Sequence, residues 1–155
     1  MSRAFVKETD EVAEVRSPER TISGAPNYVT KRGAALIEEE VDRLSELFNA
    51  ASDTDGELLQ PDLRYWENRR ASMQIIERQA NDDTAGMGME VTIERNGAQQ
   101  TLHIVGEDEA EPKTGYIAWT SPLARALQES APGDKIQFAT GGHLEEIKIL
   151  AARPI

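Results

Sequence analysis

Apolar residues recur at heptad spacing in two successive stretches separated by a turn-favouring run, and this pattern constrains the fold more than any other feature of the chain. Ile37, Val41, Leu44, Phe48 and Ala51 follow one another at intervals of four, three, four and three, the seam of a helix packed against one partner. Leu59, Trp66, Met73 and Ala80 stand seven apart, with Leu63 and Ile76 beside them, so a second helix of similar length returns along the first. Between the two lies Ser52-Asp53-Thr54-Asp55-Gly56-Glu57, which carries turn chemistry. Thr30 is placed to cap the first helix, and Pro61 suits the first turn of the second. Two helices joined by a short turn run antiparallel, so residues 30–81 read as a helical hairpin with its tip near residues 53–59. A helix of about twenty residues is roughly 30 Å long, which carries the tip far from the rest of the molecule.

Beyond Gly88 the period changes to two. Residues 89–94 and 99–105 flank Asn96-Gly97, a hairpin turn signal, and residues 116–119 make a third short strand. Ser121-Pro122 opens a short helix with Leu123, Ala126 and Leu127 on one face. Residues 135–140 and 143–151 then pair across Gly141-Gly142. The expected fold is α+β: an N-terminal antiparallel helical hairpin (residues 27–82), then an antiparallel sheet domain with one short helix (residues 83–155). Residues 1–26 mix charges with Ser, Thr and Pro and are expected to form a disordered tail.

Composition removes several function classes. The chain has 155 residues, no cysteine and two histidines, so thiol catalysis, disulfides and cysteine-based metal sites drop out. No apolar run exceeds four residues, so neither a membrane span nor a signal-peptide core is expected, and the cytoplasm is the expected location. The net charge of −11 opposes direct, non-specific binding to nucleic acid. Ten acidic and two basic residues fall between Glu38 and Glu67, so the acidity is concentrated on the hairpin. Asp53, Asp55, Glu57 and Asp62 crowd carboxylates near the tip, where they are either an ordinary polar turn or ligands for a hard cation such as Mg²⁺. An EF-hand is excluded because the bidentate acid at position twelve of the loop would be Arg64.

Signals for an enzyme in its own right are missing. His103 lies within a strand and His143 beside a turn, neither with a serine or lysine signature, so both read as structural or surface histidines. Gly106-Glu107-Asp108-Glu109 lacks the spacing and the lysine of a phosphate loop. Tyr65, Trp66 and Met73 have the spacing of hairpin packing rather than of a nucleic-acid stacking surface. Arg64, Arg69 and Arg70 are read as surface positions facing the acidic first helix, so changing Arg69 or Arg70 is expected to leave folding intact.

Two stretches resemble one family, the bacterial GreA/GreB transcript-cleavage factors. Ile104-Val105-Gly106-Glu107-Asp108-Glu109-Ala110, Gly115-Tyr116-Ile117, Ser121-Pro122-Leu123-Ala124-Arg125-Ala126-Leu127, Gly133-Asp134 and Gly141-Gly142 are similar, in order and spacing, to that family's "IVG-x-x-EA", "G-x-I", "SP-x-ARAL", "GD" and "GG" elements. Thr30, Gly33, Ile37, Glu40 and Val41 resemble the opening of its first coiled-coil helix, so the likeness spans residues 27–150.

The resemblance implies a coiled-coil hairpin joined to an FKBP-like sheet domain. It also implies an accessory factor rather than an enzyme. By the same resemblance the sheet domain would dock on bacterial RNA polymerase at the rim of its secondary channel, with Thr120, Ser121, Pro122 and Arg125 as the candidate docking residues, and the hairpin would enter the channel. In the family, tip acids help to hold a second Mg²⁺ while the polymerase cleaves its own backtracked transcript. Asp53, Asp55 and Glu57 are the residues of this chain that would share that ion. Asp62 matches the family's catalytic aspartate, but Tyr65 stands where its glutamate belongs, and Glu67 lies about 140° around the helix from Asp62. Thr120 replaces the acidic or amide residue usual before Ser-Pro. The returning helix also reads as short beside the family's, as in the Gre-like Rnk proteins. Two readings follow: a factor that modulates elongation and stimulates cleavage, or a non-cleaving occupant of the channel that competes with true cleavage factors. A prolyl isomerase is disfavoured, since only Tyr116, Trp119 and Phe138 are on hand to line a pocket. The expected state is a monomer with no sequence-specific DNA contact and no tightly bound cofactor.

Overall fold

A computed structural model describes residues 18–155. Thr30 caps α1 (Lys31–Ala50), its hydroxyl oxygen accepting the Gly33 N–H at 3.0 Å. Ile37, Val41 and Leu44 on the inward face are buried, as their spacing requires. The helix ends where Ala51 turns to extended backbone, and Ser52 immediately caps α2 (Asp53–Ser72) by accepting the Asp55 N–H at 3.2 Å. The connection is therefore only Ala51 and Ser52, and the run read as a turn is mostly the first turn of α2. The physical reason is that Ser at the cap followed by acids is also a helix-start signal, because the aligned peptide dipoles favour negative charge there. Pro61 consequently lies inside α2 rather than in its first turn, buried, and leaves the Glu57 carbonyl without its usual N–H donor.

The returning helix stops at Ser72, not near residue 81. Past Met73, the chain enters β2 (Gln74–Ile75), which pairs in parallel with β1 (Tyr28–Val29). The Gln74 N–H donates to the Asn27 carbonyl at 2.8 Å and the Ile76 N–H to the Val29 carbonyl at 2.9 Å. Tertiary pairing thus competes successfully with the helical periodicity of Met73 and Ala80. Each arm of the hairpin is 20 residues long, about 30 Å.

The second unit is a five-stranded sheet of β3 (Met89–Arg95), β4 (Ala98–Val105), β5 (Tyr116–Ala118), β6 (Lys135–Thr140) and β7 (His143–Pro154), in the order β5-β4-β3-β7-β6. Asn96 and Gly97 turn β3 into β4 with φ of 50° and 76°, the left-handed pair that a two-residue hairpin demands. All pairings are antiparallel except β4 with β5. That exception arises because the segment between them, with 3-10 turns at Glu107–Glu109 and Pro112–Thr114, carries the chain back before β5 begins. Ser121 caps α3 (Pro122–Leu127), accepting the Ala124 N–H at 3.3 Å. Met89, Val91, Ile93, Leu102, Ile104, Leu127, Ile147 and Ile149 fill the core between sheet and helix. A smaller core of Val29, Ala34 and Ile37, covered by Trp66 and Met73, closes the base of the hairpin.

The expected tail is ordered in part. Residues 1–17 lie outside the described residues, but Glu19, Arg20 and Ser23 contact α2 and the sheet domain. Among the described residues no helix is long and apolar enough to cross a membrane.

Candidate functional site

The tip of the hairpin is built from the last turn of α1 and the first turns of α2. Asp53, Asp55 and Glu57 are all exposed. At about 100° per residue, Asp53 and Glu57 share one side of α2, whereas Asp55 points roughly 160° away. The carboxylates expected to crowd one loop are instead distributed around a helix start. Asp53 and Glu57 border an open depression of about 480 Å³, together with Phe48, Ala51, Ser52, Gly56 and Gln60. Its floor is the Phe48 ring, which lies 3.5 Å from where a Cβ on Gly56 would be. Among the described residues no three His, Asp or Glu side chains gather into a metal-binding group.

Asp62 stands away from these acids and is paired with Arg20 at 3.6 Å. The Arg20 guanidinium also lies 3.7 Å from the centre of the Tyr65 ring and 5.5 Å from that of Trp66. Tyr65 and Trp66 meet edge to face, 5.2 Å apart, and Trp66 packs on the small core at the hairpin base. The packing expectation thus holds for Trp66 and Met73.

At the base, a cluster of side chains that sequence reading missed fixes the hairpin to the sheet domain. Gly106-Glu107-Asp108-Glu109, set aside as a failed phosphate loop, supplies one acid to each of three segments. Glu107 accepts the Ser23 hydroxyl at 2.9 Å. Asp108 accepts the Arg69 Nε–H at 2.6 Å and the Tyr65 hydroxyl. Glu109 accepts the Thr30 hydroxyl at 2.6 Å and an Arg32 N–H at 3.1 Å. Asn27 completes the arrangement, accepting from Arg69 at 2.8 Å and donating to the Arg69 carbonyl at 2.8 Å. The Arg69 and Asp108 side chains are only 2% and 6% exposed. The surface role expected for Arg69 is therefore wrong, because its guanidinium is buried against an acid from the other unit, whereas Arg70 is exposed and 3.9 Å from Glu38. A signal was present: Arg69 sits three residues after Trp66 and four before Met73, on the inward line of the helix. Burial, and then the hydrogen bond to Asp108, push the Tyr65 hydroxyl up to about 12.

The proposed docking residues lie together on the sheet domain. Ser121 is committed to capping α3, Thr120 and Ser121 are half-buried, and Pro122 and Arg125 are exposed. Trp119, just before them, donates its backbone N–H to the Val105 carbonyl at 2.9 Å and meets the Tyr28 ring at 5.0 Å. The segment leading into α3 is thereby tied to the hairpin base. His103 stacks on Tyr116 at 4.5 Å with Glu90 3.7 Å from its Nε2, and His143 is exposed at a turn.

Comparison with known proteins matches the sequence to one family. The family described as "Transcription elongation factor, GreA/GreB, C-term" matches residues 79–154. The transcription elongation factor GreA of Vibrio cholerae is 29% identical over 140 residues, covering 74% of this chain and 88% of that protein. GreA of Maricaulis maris is 30% identical over 107 residues, covering 67% and 68%. Among solved structures, the GreA factor homolog 1 (Gfh1) of Thermus thermophilus aligns over 83% of this chain and 99% of its own, at 18% identity and a TM-score of 0.41. With its sheet domain matched by the family over residues 79–154 and a relative 30% identical over two thirds of its length, the chain belongs to the GreA/GreB family of transcription elongation factors.

Proposed function

We propose that this protein is an RNA polymerase accessory factor of the cytoplasm, without intrinsic catalysis, that docks through Thr120–Arg125 and places its acidic hairpin in the polymerase secondary channel. The observation that carries this reading is the hydrogen-bonded seating of a 20-residue-armed hairpin on the sheet domain through Asp108, Glu109 and Asn27. A projecting arm can probe a channel only if its base does not swivel, and three separate segments are held there. An acidic arm also suits an aqueous passage that leads to bound cations, and complementary charge steers such an encounter.

The arm is proposed to act by occupancy. Support comes from the dispersal of Asp53, Asp55 and Glu57, from the engagement of Asp62 by Arg20, and from Tyr65 in place of a second acid. A second reading has one specific observation in its favour: Asp53 and Glu57 stand one turn apart on the same side of α2, where they could share an Mg²⁺ already held by the polymerase. Backtracked polymerase complexes with labelled transcript separate the two. Occupancy predicts no shortening of the transcript and suppression of shortening by an authentic cleavage factor. Shortening by this protein that vanishes in the D53A/D55A/E57A variant would select the second reading, and no effect of any kind would overturn both.

A further inference from the structure

Asp62, Tyr65 and Trp66 are spaced by three and four residues, so one face of α2 presents a carboxylate beside two aromatic rings. This is a combination that receives a guanidinium, since the flat cation can lie on a ring face while its N–H groups point at an acid. In the free protein the receptor is filled by Arg20, 3.7 Å from the Tyr65 ring centre and 3.6 Å from Asp62. Arg20 belongs to a short strap that is fastened at two other points, Glu19 to Arg64 and Ser23 to Glu107.

Among the described residues the strap buries no large apolar side chain, Ile22 being 42% exposed. Its ion pairs are also open to water: Arg20 and Asp62 are 42% and 52% exposed, Glu19 and Arg64 63% and 52%. Pairs this exposed hold weakly. Gly24, where an added Cβ would meet nothing within 4 Å, separates the strap from Asn27, which is locked into the hairpin base. The segment can therefore leave α2 without disturbing the fold.

We propose that the Asp62–Tyr65–Trp66 face of α2 is a docking receptor for an arginine side chain of the partner protein, and that Arg20 occupies it in cis until that arginine displaces it. The inference deepens the proposed function by naming the partner's chemistry, and only the identity of the partner rests on that reading. Insertion of the hairpin would then exchange one guanidinium for another, with Asp62 never left bare.

Calorimetric titration of the full chain with an oligoarginine peptide tests this without any polymerase, so its failure is separate from failure of the functional reading. A strap that is closed most of the time lowers apparent affinity by the fraction of open molecules, so Arg20→Ala is expected to bind the peptide about fivefold more tightly than wild type. Asp62→Asn added to Arg20→Ala should cancel that gain. Lys113→Ala removes the same charge from an exposed turn of the sheet domain and should bind as wild type does. An Arg20→Ala variant with no gain, a gain matched by Lys113→Ala, or a gain that survives Asp62→Asn would each overturn the proposal, because attraction would then reflect only the general acidity of the chain.

Discussion

Gly106 is a residue whose side chain could only be hydrogen. A Cβ there would stand 2.5 Å from the Tyr28 carbonyl oxygen, a backbone atom with no freedom to retreat. Gly106→Ala should therefore force the hairpin base off the sheet domain and destabilise the protein by roughly 1–3 kcal/mol, measurable by urea denaturation. The buried pair beside it gives a sharper contrast. Asp108→Ala leaves the Arg69 guanidinium buried and unpaired and should cost about 3–5 kcal/mol, while Arg70→Ala, at the exposed Glu38 pair, should change stability by less than about 1 kcal/mol. Equal effects of the two would contradict a buried clamp. Arg69 was misread because periodicity reports which side of a helix faces inward, and Asp108, 39 residues along the chain, decides what it meets there. The three consecutive acids of the clamp were equally opaque, since each bonds a different segment.

At the level of elements, most of the architecture was legible. Thr30 and Ser121 cap helices, Asn96-Gly97 turns a hairpin, and Ile37, Val41 and Leu44 line a helical seam, all through local chemistry that the neighbouring residues dictate. The start and end of α2 were not, because Ser52 and the acids after it suit a turn as well as a helix start, and because the end at Ser72 is set by the distant pairing of β1 with β2. For the candidate tip acids, the distribution of Asp53, Asp55 and Glu57 around a helix start was not legible, for the same reason. The two caps should respond differently. Ser52→Ala removes one exposed cap, at ~1 kcal/mol. Thr30→Ala also deprives buried Glu109 of a donor, which adds about 1–3 kcal/mol. Seating of α2 also has a pH signature through Tyr65. Its hydroxyl is raised from 10.0 to about 12, so the neutral form is favoured in the fold, and this contribution is fully present below pH 10 and lost as the pH rises toward 12. Phenolate absorbance should show a late-titrating tyrosine that disappears in Tyr65→Phe; a wild-type titration without that phase would contradict the buried contact.

Across the whole molecule, charge and seating act together. The acidic hairpin contributes most of the net −11, and Asp108 and Glu109 bond its base to the sheet domain. Association with a partner steered by this charge should weaken as salt is raised, since exposed charges are screened beyond about 10 Å at 0.1 M. The chain has no cysteine, so a single one can be introduced at a chosen point. A single cysteine at Thr54, exposed at the tip, can carry an iron–EDTA probe that cuts what lies beside it. With RNA polymerase elongation complexes, channel occupancy predicts cuts in the polymerase around its catalytic centre and in the 3′ end of the transcript. Cuts confined to the outer surface of the polymerase, or none above those from unbound probe, would contradict it.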